Sequence, residues 1–291
     1  MTDLCWKLSQ VIYENPMFYD DIPIDKQSND LLKRGTFAER LGKTIINLDA
    51  KDGICVGILG SWGSGKTSII NMMRETIERS AQTKPSIVTF SPWNYTTGEQ
   101  LFRQLFYAIA NSLTENNDKD KELYGLSKTI IDYADIASNV PIKLIGSGSK
   151  MIKGCLTLIN NKSILSGCDL GQQRDKIIKQ LENLDHKILV IIDDIDRLSN
   201  MEIRLIFQLV ASVAKFPNII YILSFDRKIV SRALSEVQGC DGEGYIEKVV
   251  QIPIEIPEIR SDSINDIFLK RLNEMLSEYK LDFDQKYWQQ I

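Results

Sequence analysis

Residues 60–67 form a glycine-rich loop whose residue types and spacing suit phosphate binding. The loop reads Gly-Ser-Trp-Gly-Ser-Gly-Lys-Thr, follows the apolar run Ile54–Leu59 and precedes a helical pattern. Glycines let the backbone turn successive N–H groups inward, and the start of the helix adds the positive end of its dipole. Lys66 would place a charge at the β- and γ-phosphates, and the Thr67 hydroxyl would bind Mg²⁺. The pattern predicts a P-loop whose nucleotide-binding residues are Gly60, Ser61, Trp62, Gly63, Ser64, Gly65, Lys66, Thr67 and Ser68.

An acidic run lies at the end of a second apolar segment. After Ile188–Ile192 the chain reads Asp-Asp-Ile-Asp-Arg over residues 193–197. Ligand sites of open α/β sheets lie at the carboxyl ends of strands, so we expect these acids to face the glycine-rich loop. Mg²⁺ prefers hard oxygen ligands, which makes Asp193 the predicted carboxylate on the metal side. Asp194 is the predicted base that orients and deprotonates an attacking water.

Other residues near these strand ends have more than one interpretation. Asp196 and Arg197 could pair with each other or stabilise charge on the phosphates, and the whole run could instead be a polar strand end before a helix N-cap. The apolar run Ile219–Ser224 is followed by Phe-Asp-Arg, where Ser224 or Asp226 could sense the γ-phosphate or simply begin a solvated loop. The candidate catalytic residues are therefore Lys66, Asp194, Arg197 and Ser224.

Short apolar runs alternate with longer helical patterns along the chain, which is typical of a parallel α/β sheet flanked by helices. The predicted strands are Ile54–Leu59, Ser86–Phe90, Ile188–Asp193, Ile219–Ser224 and Val249–Ile254. The predicted helices include Thr67–Arg79, Glu99–Leu113, Gly171–Leu184 and Glu202–Lys215, with further helix after residue 261. The gap between the second and third strands is longer than a crossover needs, so we predict a mostly helical insertion at residues 114–166.

Composition excludes several other kinds of site. The five cysteines are scattered without CxxC spacing, and His186 is the one histidine, so neither a disulfide framework nor a histidine metal cluster is expected. The formal net charge of −4 gives no support for general nucleic-acid binding. Neither a secretory signal nor a transmembrane segment is predicted, and a cytoplasmic location is expected.

The motifs together resemble the KAP family of P-loop NTPases. The resemblance covers nearly the whole chain and is carried by Pro23–Leu41, the glycine-rich loop, Ser91–Tyr95, Asp193–Leu198, Ser224–Val230 and Tyr245–Pro253. It implies an ASCE-type core in which the Walker B strand lies between the P-loop strand and the sensor strand. It also implies that Asp193 binds Mg²⁺ through water, that Asp194 polarises the nucleophile, and that Arg34 and Phe37 lie near the base or ribose. Trp93 would pack beside the site, with core packing as the plainer alternative.

Two departures from the family affect the predicted domains. Many relatives carry transmembrane helices between the second strand and the Walker B strand, where this chain has a lysine-bearing insertion at 114–166. Relatives usually continue into a helical lid, and no such motif precedes Ile291. We therefore predict an N-terminal segment at 1–30, a core at 31–113 and 167–260, the insertion, and the start of a truncated helical region at 261–291.

These observations favour an ATPase that switches a conformation or an assembly, with anti-phage defence in prokaryotes as the biology that the resemblance suggests. ATP is preferred over GTP because Asn161-Lys162 is followed by Ser163-Ile164, not by the guanine-specifying aspartate. An ATP-binding scaffold with little hydrolysis is the alternative, while a nucleic-acid motor and a small-molecule kinase have less support. A homo-oligomer or protein partner is expected, with Arg197 or Arg227 as a candidate arginine finger.

Overall fold

The structure is a computed structural model that describes residues 22–80, 84–95, 98–115, 120–138, 170–184, 186–213, 216–238, 241–259 and 261–278. Five parallel strands form one sheet in the order β2-β3-β4-β1-β5. Their bounds are β1 Ile54–Leu59, β2 Ser86–Phe90, β3 Ile188–Ile192, β4 Ile219–Phe225 and β5 Ile252–Glu255. The predicted fold class, a parallel α/β sheet of the P-loop NTPase type, is confirmed.

Helices connect the strands and cover both faces of the sheet. They are α1 Gly35–Ile46, α2 Lys66–Ser80, α3 Gly98–Thr114, α4 Lys121–Ser138, α5 Leu170–Glu182, α6 Asn200–Val213, α7 Arg227–Gln238, α8 Gly242–Val249 and α9 Ser261–Glu278. Short 3-10 turns lie at 27–29, 92–94 and 195–197. The bounds of α2, α3, α5 and α6 agree with the predicted helices to within two residues.

The strands alternate between two apolar clusters because successive side chains of a strand point to opposite faces. On β4, Tyr221 and Leu223 join the cluster that includes α3 to α8, whereas Ile220 and Ile222 join the cluster formed with α1 and α2. All seven residues of β4 are buried. Each fully buried aliphatic or aromatic side chain contributes about 1.5–3 kcal/mol of hydrophobic stabilisation, so these two layers hold the strand ends in place.

The strand order corrects one expectation. The sensor strand β4 lies between the P-loop strand β1 and the acidic strand β3, so the acidic strand is not the one beside the P-loop. The reason lies in β4 itself, which is long and apolar on both faces and pairs along its length with both neighbours. Ser224 at the end of this strand is therefore placed between the glycine-rich loop and the acidic run.

The start of β5 is also corrected. Residues 249–251 do not belong to the strand, because Val249 is the last residue of α8 and the N–H of Val250 donates to the Ile246 carbonyl at 2.8 Å. Ile246 and Val249 are buried with the three-residue spacing of a helix face. An apolar run that closes a helix and then begins a strand cannot be divided by hydrophobicity alone.

The helix α4 falls within the predicted insertion but packs as part of the main core. Its residues Leu123, Leu126 and Ile130 are buried in the same cluster as the sheet, and the helix lies against α3 and α5. Residues 116–119 and 139–166 of the predicted insertion are outside the described residues. The predicted domain boundaries therefore stay a prediction. Within the described part of the chain, no helix is both long enough and apolar enough to cross a membrane.

Asn218 joins three elements at the amino edge of the sheet. Its amide Nδ2 donates to the carbonyls of Leu181 and Leu184 at 2.7 and 2.9 Å, and its backbone N–H donates to the Ala50 carbonyl at 2.8 Å. Its φ of 62° lies in the left-handed region, which asparagine tolerates better than most residues.

We predict that Asn218→Ala lowers the free energy of unfolding by about 2–3 kcal/mol, because it removes both amide hydrogen bonds and strains the backbone. Asn218→Gly loses the same bonds without the strain, so it should cost about 1 kcal/mol less. Urea unfolding of the two variants measures this difference. Equal losses would contradict the role of the left-handed conformation.

Candidate functional site

The glycine-rich loop runs from the end of β1 to the start of α2. The Gly60 N–H donates to the Phe225 carbonyl at the end of β4, and the Ser64 N–H closes a turn onto the Ser61 carbonyl. Gly63 and Gly65 have φ values of 76° and 84°, a region that costs other residues about 1–2 kcal/mol. The sequence therefore folds this loop into the curled form in which backbone N–H groups can gather around an anion.

Lys66 is buried at the first position of α2 and is held by three oxygens. Its Nζ donates to the carbonyls of Gly60 at 3.1 Å and Ser61 at 3.3 Å, and it pairs with Asp196 Oδ2 at 3.1 Å. The Lys66 and Asp196 side chains are only 8% and 2% exposed. Buried charges need partners, so the structure holds the loop lysine with a carboxylate from the acidic run.

Thr67 and Asp193 bring two hard oxygen ligands together. The Thr67 hydroxyl donates to Asp193 Oδ2 at 2.8 Å, and Asp193 Oδ1 accepts the backbone N–H of Asp194, also at 2.8 Å. Mg²⁺ is commonly held by one or two protein oxygens together with waters and phosphate oxygens. The donor chemistry of this pair fits such an ion. Among the described residues, no cluster of three or more histidine, cysteine, aspartate or glutamate side chains offers another metal site.

Asp194 lies beside Asp193 in a left-handed conformation, with φ 58° and ψ 33°. Its Oδ1 pairs with Arg197 Nε at 2.8 Å. Burial raises the pKa of the Asp194 carboxyl, the negative charge of Asp193 raises it further, and Arg197 opposes the shift. A carboxylate whose charged form is disfavoured has a stronger tendency to take a proton, which suits the predicted base.

The 3-10 turn at 195–197 explains why two of the four charged residues of the acidic run contact Lys66 and Thr67 while the other two pair with each other. Side chains three residues apart are nearly aligned in such a turn, so Asp193 and Asp196 project together toward Thr67 and Lys66, and Asp194 meets Arg197. The Asp196–Arg197 pair that the sequence allowed is not formed. Sequence reasoning missed Asp196 as the partner of the loop lysine, although the three-residue spacing was a usable signal.

The two residues predicted to sense the γ-phosphate differ in their surroundings. Ser224 is fully buried level with Ile58 of β1, and its hydroxyl has no hydrogen-bond partner among the described residues. Asp226 instead caps α7, because its Oδ1 accepts the N–H groups of Lys228 and Ile229 at 2.9 and 3.4 Å. The Ser224 hydroxyl is therefore left without a partner within the described part of the chain, whereas the Asp226 carboxylate is engaged in capping.

Arg227, the other candidate arginine finger, is bound to α8. Its guanidinium pairs with Glu243, and its Nη2 lies 3.7 Å from Glu247. This pairing connects α7 to α8 and would have to break before Arg227 could reach a phosphate.

Arg34 and Phe37, which the family resemblance places near the base or ribose, have different neighbours in the structure. Arg34 is buried and donates to the carbonyls of Ser64 in the loop and Pro257 after β5. Phe37 packs against the cluster that includes α1 and α2.

Trp62 is 74% exposed and Trp93 is 56% exposed, so the core-packing alternative for Trp93 is wrong. Ser68 faces the N-terminal segment, where its hydroxyl accepts the Ile24 N–H at 3.2 Å.

The model of the KAP family P-loop domain matches residues 34–291. The chain is 26% identical over 279 residues to the phage T7 exclusion protein of Escherichia coli strain K12, a match that covers 89% of this chain and 37% of the length of that relative.

Two solved structures are also similar. Cdc6p from Pyrobaculum aerophilum aligns with 15% identity and a TM-score of 0.42, covering 89% of this chain and 53% of that one. The ORC2 protein of Aeropyrum pernix aligns with 12% identity and a TM-score of 0.43, covering 88% and 55%.

We predict that Asp194→Asn raises the melting temperature at pH 7 in buffer without nucleotide or metal. The folded protein raises the pKa of this carboxyl, so the unfolded chain ionises more readily and folding carries a penalty above the folded-state pKa. Asparagine removes the charge and tolerates the left-handed backbone. The difference from wild type should shrink as pH falls below the ordinary aspartate pKa of about 3.9. Thermal unfolding between pH 3 and 7 measures it, and a variant less stable than wild type at pH 7 would contradict the prediction.

Proposed function

The chain belongs to the KAP family of P-loop domains, and on that premise we propose that it binds ATP with Mg²⁺ and hydrolyses it. The observation that carries the proposal is the meeting of the loop with the acidic run, where Lys66 and Thr67 each contact a different aspartate. The lysine, the Thr67 hydroxyl and the Asp193 carboxylate are the kinds of group that hold the phosphates and Mg²⁺ in phosphoryl transfer, and Asp194 follows directly in the chain as the candidate for the water.

The nucleotide phosphates would occupy the curled loop. Lys66 would exchange the Asp196 carboxylate for the β- and γ-phosphate oxygens, because both are anions and the amine already lies beside the loop carbonyls. Thr67 and, through water, Asp193 would hold Mg²⁺, which when bound neutralises charge on the phosphates. The hydroxyl of Ser224 would donate to the γ-phosphate from the end of β4, the strand that lies between β1 and β3.

Asp194 would act on the attacking water. Its carboxylate would accept one hydrogen bond from the water, fix its approach to the γ-phosphorus and take its proton as the new P–O bond forms. The bond between the γ-phosphorus and the β–γ bridging oxygen would break at the same time, so that ADP leaves with that oxygen and phosphate is released. Arg197 would then turn from Asp194 to the charge that develops on the phosphate oxygens. The raised pKa of Asp194 supports this role, because a carboxyl with a higher pKa is a stronger base once it is ionised.

A second candidate function is an ATP-binding switch with little turnover of its own. It is favoured by the 2.8 Å ion pair between Asp194 and Arg197, which occupies the proposed base. Hydrolysis would then depend on a partner, or on a second copy of the chain, to release Asp194. Either form of the proposal agrees with a conformational or assembly switch.

The biological setting is proposed from the relative. A protein named for the exclusion of phage T7 matches most of this chain, although the chain spans only 37% of its length. We propose that this domain supplies the nucleotide-driven step of an anti-phage defence protein that acts in the cytoplasm, as a homo-oligomer or with a protein partner.

We expect Mg²⁺-dependent ATP turnover by the purified chain to fall by about a hundredfold or more in Lys66→Ala and in Asp194→Asn. Only the lysine variant should also lose ATP binding, because the proposed contact of Asp194 is with the attacking water and not with the nucleotide. The exposed pair Lys51 and Asp49 supplies matched controls, Lys51→Ala and Asp49→Asn, which should behave as wild type. A chain that binds no ATP, or a Lys66→Ala variant that binds it normally, would refute the proposal.

Turnover by Arg197→Ala separates the two candidate functions. If Arg197 stabilises charge on the phosphate, we expect turnover to fall by about tenfold or more. A rise in turnover would instead mean that the arginine restrains Asp194, and would favour the switch.

A further inference from the structure

Arg34 connects the glycine-rich loop to a distant part of the chain. Its Nη1 donates to the carbonyl of Ser64, 30 residues away, and its Nη2 donates to the carbonyl of Pro257, 223 residues away. The side chain is buried, and its Nε has no hydrogen-bond partner among the described residues. Both arms of the guanidinium are therefore used to hold backbone carbonyls, one of them in the middle of the loop.

Holding the Ser64 carbonyl also fixes the next amide of the loop. A trans peptide group is planar, so its C=O and the following N–H point in opposite directions. When Arg34 draws the Ser64 oxygen toward itself, the Gly65 N–H is turned to the opposite side. Gly65 has a φ of 84° and immediately precedes Lys66, so this amide belongs to the stretch of backbone that would surround the phosphates.

Arg34 is itself held by the turn that precedes α1. The Asp30 carboxylate accepts the N–H of Leu32 at 3.0 Å and the N–H of Gly35 at 2.6 Å, while Lys33 takes a left-handed φ of 58°. Burial lowers the pKa of the Arg34 guanidinium, and the negative charge of Asp30 opposes the shift. A buried charge is costly, and its retention here is explained by the two carbonyls that it holds.

We propose that Arg34 is a positioning residue of the phosphate-binding loop, which sets the orientation of the Gly65 N–H by holding the Ser64 carbonyl, and that it contacts neither base nor ribose. The inference rests on the proposed nucleotide binding and deepens it. It replaces the role near the base or ribose that the family resemblance implies for this residue. Arg34 should therefore affect binding of the triphosphate whether or not a nucleoside is attached to it.

The test compares two ligands, Mg²⁺·ATP and Mg²⁺·tripolyphosphate, in competition against a fluorescent ATP analogue. For Arg34→Ala we expect the affinities for both ligands to fall by the same factor, about tenfold or more. Arg34→Lys keeps the charge but lacks the planar fork, so its losses should be intermediate and again equal for both ligands. Arg40, exposed on α1, supplies the control Arg40→Ala, which should bind both ligands as wild type does.

The outcomes are distinct. A loss for ATP with no loss for tripolyphosphate would overturn the inference, because it would place Arg34 at the nucleoside. Unchanged affinity for both ligands would also overturn it. If thermal unfolding shows that Arg34→Ala does not fold, the same two titrations on Arg34→Lys decide the question. Wild-type protein that binds neither ligand would instead refute the proposed function, and the inference with it.

Discussion

The buried ion pair between Lys66 and Asp196 is the interaction on which the site depends. The two residues come from elements that are not neighbours in the sheet, since Lys66 follows β1, Asp196 follows β3, and β4 lies between them. The Lys66 and Asp196 side chains are 8% and 2% exposed, and burying either charge without the other would cost free energy. The pair therefore holds Asp196 beside the glycine-rich loop. The proposed binding of ATP is then an exchange of one anionic partner of Lys66 for another, and the freed Asp196 must find new partners. Under this proposal, nucleotide binding would change the contacts of Asp196 at the end of β3.

The sheet holds the glycine-rich loop and the acidic run at a fixed distance from each other. All five strands are parallel, so their carboxyl ends lie at one edge, and the fully buried β4 fixes the spacing between β1 and β3. Arg34 extends the same principle to the backbone of the loop, because it ties the Ser64 carbonyl to the segment that follows β5. The loop is thus fixed from the side of the sheet through Lys66 and from the side of α1 through Arg34.

Sequence patterns were sufficient for the parts of this structure that depend on local chemistry. The bounds of β1 and β2 agree with the prediction, because each is a short apolar run between polar segments. The curled backbone of the glycine-rich loop requires positive φ at Gly63 and Gly65, and glycine is the residue that adopts this conformation most readily. The helices α1, α7 and α8 are outside the predicted set, and the order of β3 and β4 was predicted wrongly, because strand order depends on which apolar surfaces pack together. The pairing of Arg34 with two carbonyls joins residues far apart in sequence, so periodicity could not reveal it. The pairing of Asp196 with Lys66 also spans a long stretch of sequence, and only the three-residue spacing from Asp193 to Asp196 hinted at the side to which Asp196 projects.

The most direct test of this account is a crystal structure of the chain with Mg²⁺ and a non-hydrolysable ATP analogue. The account predicts that Lys66 Nζ lies within hydrogen-bond distance of the β- and γ-phosphate oxygens and has moved away from Asp196, with Thr67 at the metal and the Gly65 N–H directed at the phosphates. A structure in which the nucleotide is bound elsewhere, while Lys66 keeps its pair with Asp196, would contradict it.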